Sequence, residues 1–149
     1  MKYLFFDSEY ATSKGGNIKI CEFGYVVTDH NFRILTRDNM IINPNIMRDE
    51  WDWRVVRKIL TRRISEYEAN PEFDYYYDEI VKLIKEADYI FGHTLNGDAS
   101  DSTINRILFK LRDDGIIMPL GKGRSARWMK LINENDPKMI FGGNYGRKV

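Results

Sequence analysis

The segment Tyr3-Leu4-Phe5-Phe6-Asp7-Ser8-Glu9 constrains this chain more than any other stretch. Its apolar run reads as a buried strand, expected over residues 3–7. Side chains alternate along a strand, so Asp7 and Glu9 share one face. Two carboxylates delivered together from a dry sheet repel each other unless positive charge lies between them. A divalent cation is the usual answer. The spacing alone is common: acid-x-acid occurs six times, also at Glu50/Asp52, Glu66/Glu68, Glu72/Asp74, Glu86/Asp88 and Glu134/Asp136. Only Asp7/Glu9 follows directly on an apolar run; a solvated acidic surface explains the other five.

Composition sets the frame for that pair. With 149 residues, 43% of them hydrophobic, the chain can bury one core, and residues 1–149 are expected to form a single domain. A net charge of +1 gives no global pull toward nucleic acid or a membrane. The charge is unevenly spread: residues 119–149 carry a net of +5 and the first 118 a net of −4. Cys21 is alone, which rules out an intrachain disulfide, points to a reducing compartment and suits a buried, inert thiol. No signal-peptide pattern opens the chain, and no apolar stretch nears the roughly 20 residues that span a bilayer. A cytoplasmic protein with no membrane partner is the expectation.

Along the chain, the loop Thr12–Asn17 precedes a second expected strand, Ile18–Thr28. A turn at Asp29-His30-Asn31 leads to a third, Phe32–Ile42, closed by Asn43-Pro44-Asn45. Three consecutive strands with short links suggest an antiparallel meander. Helical periodicity follows over Trp51–Ile64, with Arg54, Lys58 and Arg62 as a basic face that is either solvated or tracks a phosphate backbone. A second helix is expected over Asp74–Ala87, a short strand over Tyr89–Gly92, and a third helix over Ser100–Asp114 with Gly115 as its stop. A strand and helix are possible within Ala126–Asn133. This order describes an α/β domain with a mixed sheet flanked by helices. The strand at 89–92 is expected parallel to the first, which brings the residues after Gly92 beside Asp7 and Glu9.

Those residues are His93-Thr94-Leu95-Asn96-Gly97-Asp98-Ala99-Ser100-Asp101. Acids at a helix start are favoured by capping and by the helix dipole, and one of them needs no further explanation. A third carboxylate converging on the first two is the functional reading, and Asp98 is placed to supply it, with Asp101 second. Phe-Phe-Asp-Ser-Glu, then Glu-Phe-Gly-Tyr-Val-Val at 22–27, Ile-Asn-Pro at 42–44 and Ile-Phe-Gly-His-x4-Asp at 90–98 occur in one order. That order resembles the DEDD (DnaQ-like) superfamily of 3′–5′ exonucleases, which have a ribonuclease-H-like fold. The resemblance implies a two-metal hydrolysis of phosphodiesters with Mg²⁺ or Mn²⁺. It implies that Asp7 bridges both ions, that Glu9 holds the one bearing the attacking water, and that Asp98 helps hold the other. It further implies single-stranded DNA or RNA 3′ ends as substrate, with Ser8, Tyr10, His93 and Asn96 against it.

The family's third motif, a helix with His-x4-Asp or Tyr-x3-Asp, has no match here. His30 sits in an expected turn, His93 belongs to the second motif, and four residues after Tyr145 stands Val149. The resemblance thus implies an exonuclease domain truncated at its C-terminus, with an incomplete site. The alternatives are a catalytically inactive nucleic-acid-binding or interaction module of the same fold, and another ribonuclease-H-like enzyme such as an endonuclease.

Overall fold

The computed structural model describes residues 1–93, 103–120 and 125–131. Its strands are β1 (Lys2–Thr12), β2 (Ile18–Asp29), β3 (Ile34–Ile41), β4 (Tyr89–His93), β5 (Ile117–Pro119) and β6 (Ser125–Lys130). Its helices are α1 (Trp53–Lys58), α2 (Ile64–Glu68), α3 (Phe73–Glu86) and α4 (Thr103–Asp113). The six strands form one mixed sheet in the order β3-β2-β1-β4-β6-β5. The first three make the expected antiparallel meander. β4 runs parallel to β1 in the register Phe5↔Phe91 and Asp7↔His93, as expected, while β6 pairs antiparallel with β4 and β5.

Alternation along β1 and β2 divides the sheet into two unlike faces. Leu4 and Phe6, with Phe23, Tyr25 and Val27, turn toward Ile80 and Ile84 of α3 and Ile107 and Leu108 of α4. This is the main core. It lies under the helices whose apolar residues recur every three to four positions. Gly92 is part of it: a Cβ there would stand 2.2 Å from Cζ of Phe6, so the ring of Phe6 occupies the space that a side chain would need. On the other face Tyr3, Phe5, Tyr89 and Phe91 pack against one another, with Phe5 and Phe91 stacked at 5.0 Å.

A second, smaller cluster covers only the end of that face near Glu9. Ala11, Cys21, Ile46, Trp51, Leu60, Ile64 and Tyr67 form it. Trp51 is fully buried, donates its indole N–H to the carbonyl of Ile46 (3.0 Å) and stacks on Tyr67 at 5.9 Å.

Two expectations need correction, and one strand is new. β1 does not stop at residue 7 but runs to Thr12, because β2 stays paired with it as far as Thr12↔Ile18; beyond that the chain at 50–52 takes over, with Lys14 N–H donating to the carbonyl of Glu50 and Asp52 N–H to that of Thr12. The helix expected over 51–64 is two short helices. α1 starts on Asp52, whose carboxylate accepts the Arg54 N–H, and ends at Lys58. α2 restarts where Glu66 reaches back to the N–H of Arg63 (2.7 Å). β5 is an addition: three residues are too few to show periodicity. Gly115 does close α4, in the left-handed conformation (φ +70°).

Candidate active site

Asp7 and Glu9 stand side by side on β1, on the face that the second cluster partly covers. Asp7 is exposed and lies between Gly24 of β2 and the backbone of His93 on β4. One of its oxygens accepts the N–H of Ser8 (2.9 Å). Glu9 is half-buried and pairs across the ladder with Glu22. Immediately beyond this pair the register shifts: Tyr10 faces Ile20, which leaves Cys21 as an extra residue on β2. Such a bulge increases the local twist and re-aims the side chains beside it. The Cys21 thiol donates to the carbonyl of Glu9 (3.4 Å), and burial, with Glu22 and then Glu9 nearby, pushes its pKa up, as suits an inert thiol.

Cross-strand pairing puts a third carboxylate on this face. Glu22 is only 8% exposed, yet both of its oxygens are engaged. The Tyr67 hydroxyl donates to Oε1 (2.5 Å) and the Asn39 amide to Oε2 (3.1 Å). Arg62 approaches Oε1 to 3.8 Å, within ion-pair range. Burial, then Asp7, then Glu22 raise the pKa of Glu9 above the usual carboxylate value. Among the described residues Arg62 is the cation that reaches any of the three acids.

The expected site residues fall into two groups. Asp7 and Glu9 come together. Ser8 and Tyr10 point to the main core: Ser8 is 4% exposed, and its hydroxyl donates to that of Tyr10 (3.1 Å). Asn96, Asp98 and Asp101 lie outside the described residues, as do Glu134, Asp136 and Tyr145. The backbone of His93 ends β4 next to Asp7. Glu22, the first residue of the 22–27 segment, is not among the expected site residues. Its signal was there, a single acid inside the apolar run Ile20–Val27, but its cross-strand neighbour depends on the bulge. The basic face of Arg54, Lys58 and Arg62 does not form. Arg54 is bound to Asp52, α1 ends at Lys58, and Arg62 turns to Glu22 and Glu66.

A groove of about 710 Å³ runs from Asp7 along the uncovered face, over Phe5, Gly24 and Val26, with Arg37 and Asn39 of β3 at its rim. Among the described residues no group of three or more His, Cys, Asp or Glu side chains is arranged to hold a metal ion. Asp7 and Glu9 nonetheless supply hard oxygen donors of the kind that Mg²⁺ and Mn²⁺ prefer. They fit as part of such a set.

The fold finds counterparts among solved structures. A full-length 3′-exonuclease superposes with a TM-score of 0.51 at 16% identity, over 74% of this chain and 52% of that one. The structure describing 3′-end-specific recognition of a histone mRNA stem-loop by a 3′-exonuclease gives 0.51 at 17%, over 74% and 41%. The fold is ribonuclease-H-like. At these identities the likeness concerns the fold, and the chain spans about half or less of the length of the chains it matches. No protein-family model matches the sequence, and no curated protein does. Among the described residues no helix is long and apolar enough to cross a membrane.

Proposed function

We propose that this chain is a metal-dependent 3′–5′ exonuclease domain of the DEDD type that hydrolyses phosphodiesters at single-stranded DNA or RNA 3′ ends. The observation that carries the reading is the juxtaposition of Asp7 and Glu9 on β1 with the parallel end of β4, from which the Gly92-His93-x4-Asp98 segment departs. Two solved structures of similar fold are 3′-exonucleases, one of them described as recognising a histone mRNA stem-loop at its 3′ end. Asp7 and Glu9 are the described residues that would hold Mg²⁺ or Mn²⁺, with Asp98 as the third ligand and Asp101 as its substitute.

Two bound ions supply charge neutralisation at the phosphoryl group and water activation near neutral pH. The chain's own part is to hold its acids in place before substrate arrives. β1 sets the spacing of Asp7 and Glu9, and the bulge at Cys21 fixes the direction of Glu9. The raised pKa of Glu9 means that a proton competes with the cation for this carboxylate, so loading improves as pH rises through the carboxylate range.

An end-labelled single strand incubated with Mn²⁺ tests the reading. Stepwise shortening from the 3′ end is expected. In Asp7→Asn the rate should fall by more than the roughly 10–100-fold that loss of an outer partner costs. Internal cuts would replace the exonuclease reading with an endonuclease one, and strand binding without cleavage would favour the inactive module.

A further inference from the structure

Glu22 is the buried acid that the reading so far leaves without a task. Three elements converge on it: Tyr67 from α2, Asn39 from β3 and Arg62 from the α1–α2 link. It pairs directly with Glu9. Like charges directly opposite each other destabilise a sheet. A glutamine at position 22 would accept the Tyr67 hydrogen bond, meet the amide of Asn39 and leave Glu9 undisturbed. Hydrogen bonding alone therefore does not account for a carboxylate here; its charge faces Arg62 at 3.8 Å on one side and Glu9 across the ladder on the other. Glu22 is also badly placed to be a ligand itself, because it is buried and both oxygens are already engaged.

We infer that Glu22 is a positioning residue for the cation site: a clamped outer carboxylate that fixes Glu9 from across the ladder and adds negative charge behind it, so that the Asp7/Glu9 pair takes up a divalent cation more tightly. The inference rests on the proposed metal-dependent reading. Tyr67 and Asn39 hold the clamp, and both come from elements outside the Asp7/Glu9 strand. Partners of this kind orient ligands, and their loss weakens metal binding.

Titration of the full chain with Mn²⁺ alone, free ion followed by electron paramagnetic resonance, decides the matter without any turnover. Glu22→Gln is expected to bind Mn²⁺ about 10-fold or more weakly than the parent, in line with the loss of an outer-shell partner, while its circular dichroism is unchanged. Glu22→Asp, which keeps the charge, should recover part of that loss. If Glu22→Gln does not fold, Tyr67→Phe replaces it as the test, and a weakening in the same direction, smaller than the roughly 10-fold of an outer-partner loss but above about 2-fold, is expected from the loss of one clamp donor. Affinity within about 2-fold of the parent in the folded Glu22→Gln chain, or in Tyr67→Phe where that is the test, overturns the inference, since a role in stability alone does not move metal affinity. Asp7→Asn separates the two levels. If Asp7→Asn abolishes binding and Glu22→Gln does not weaken it, only the role of Glu22 falls. If Asp7→Asn binds as the parent does, or the parent takes up no Mn²⁺ at millimolar concentration, the metal-dependent reading falls with it.

Discussion

At position 92 a hydrogen stands where any other residue would place a carbon, and the ring of Phe6 fills that space. The ring is buried and stacked on Phe23 at 5.4 Å, so it has little room to swing aside. Gly92→Ala should therefore cost about 1–3 kcal/mol through overpacking, read as a lower urea midpoint; an unchanged midpoint would show that the Phe6 ring can move. Three residues beyond Phe6 on β1, at Glu9, the physics is electrostatic. Burial and the neighbouring acids raise the pKa of Glu9 in the folded chain, so the fold disfavours its charged form. The stability associated with protonated Glu9 is present at low pH and is lost as pH rises through its folded pKa. Glu9→Gln imitates the protonated form. In metal-free buffer it should raise Tm at pH 7 and leave it unchanged below about pH 4, where the native side chain is protonated in both states. An equal rise at both pH values would assign the effect to packing instead. Asp7, Glu9 and the isolated Cys21 were legible from the sequence because each is read from its own neighbours. Glu22 was not, since its importance lies in a residue 13 positions away.

Among the elements, those that follow one period appear where periodicity puts them. α3 spans Phe73–Glu86 against an expected 74–87, and β4 spans Tyr89–His93 against 89–92. The stretch over 51–64 failed for a physical reason. Apolar residues at helical spacing are there, but Trp51, Leu60 and Ile64 are drawn into the cluster over Cys21 and Tyr67, which one straight helix does not satisfy. Trp51 is the anchor of this arrangement, buried, stacked and hydrogen-bonded. Trp51→Ala should destabilise the chain by about 3–5 kcal/mol in urea denaturation. A loss under about 1 kcal/mol would show that the α1–α2 segment contributes little to the folded state. The consequence reaches the site, because Tyr67 and Arg62, which hold Glu22, belong to this segment. The basic stripe read from Arg54, Lys58 and Arg62 disappeared for the same reason, as the helix that would have aligned them is broken.

On the scale of the molecule, one sheet does two jobs. Its helix-covered face holds the main core, and its other face carries an aromatic patch that leads into the carboxylate site. The sequence by itself determined the alternation of β1, the shared direction of Asp7 and Glu9, the meander, and the helices whose apolar spacing is regular. These follow from local period and turn chemistry, which need no knowledge of distant partners. Tertiary structure alone decided where β5 and β6 join the sheet, the residue-by-residue register of β4 on β1, the break between α1 and α2, and the bulge that places Glu22 opposite Glu9. Each of these depends on which remote backbone groups pair and on how side chains from separate segments share one core. A period of two or of 3.6 residues says which way a side chain faces, but not what it meets there.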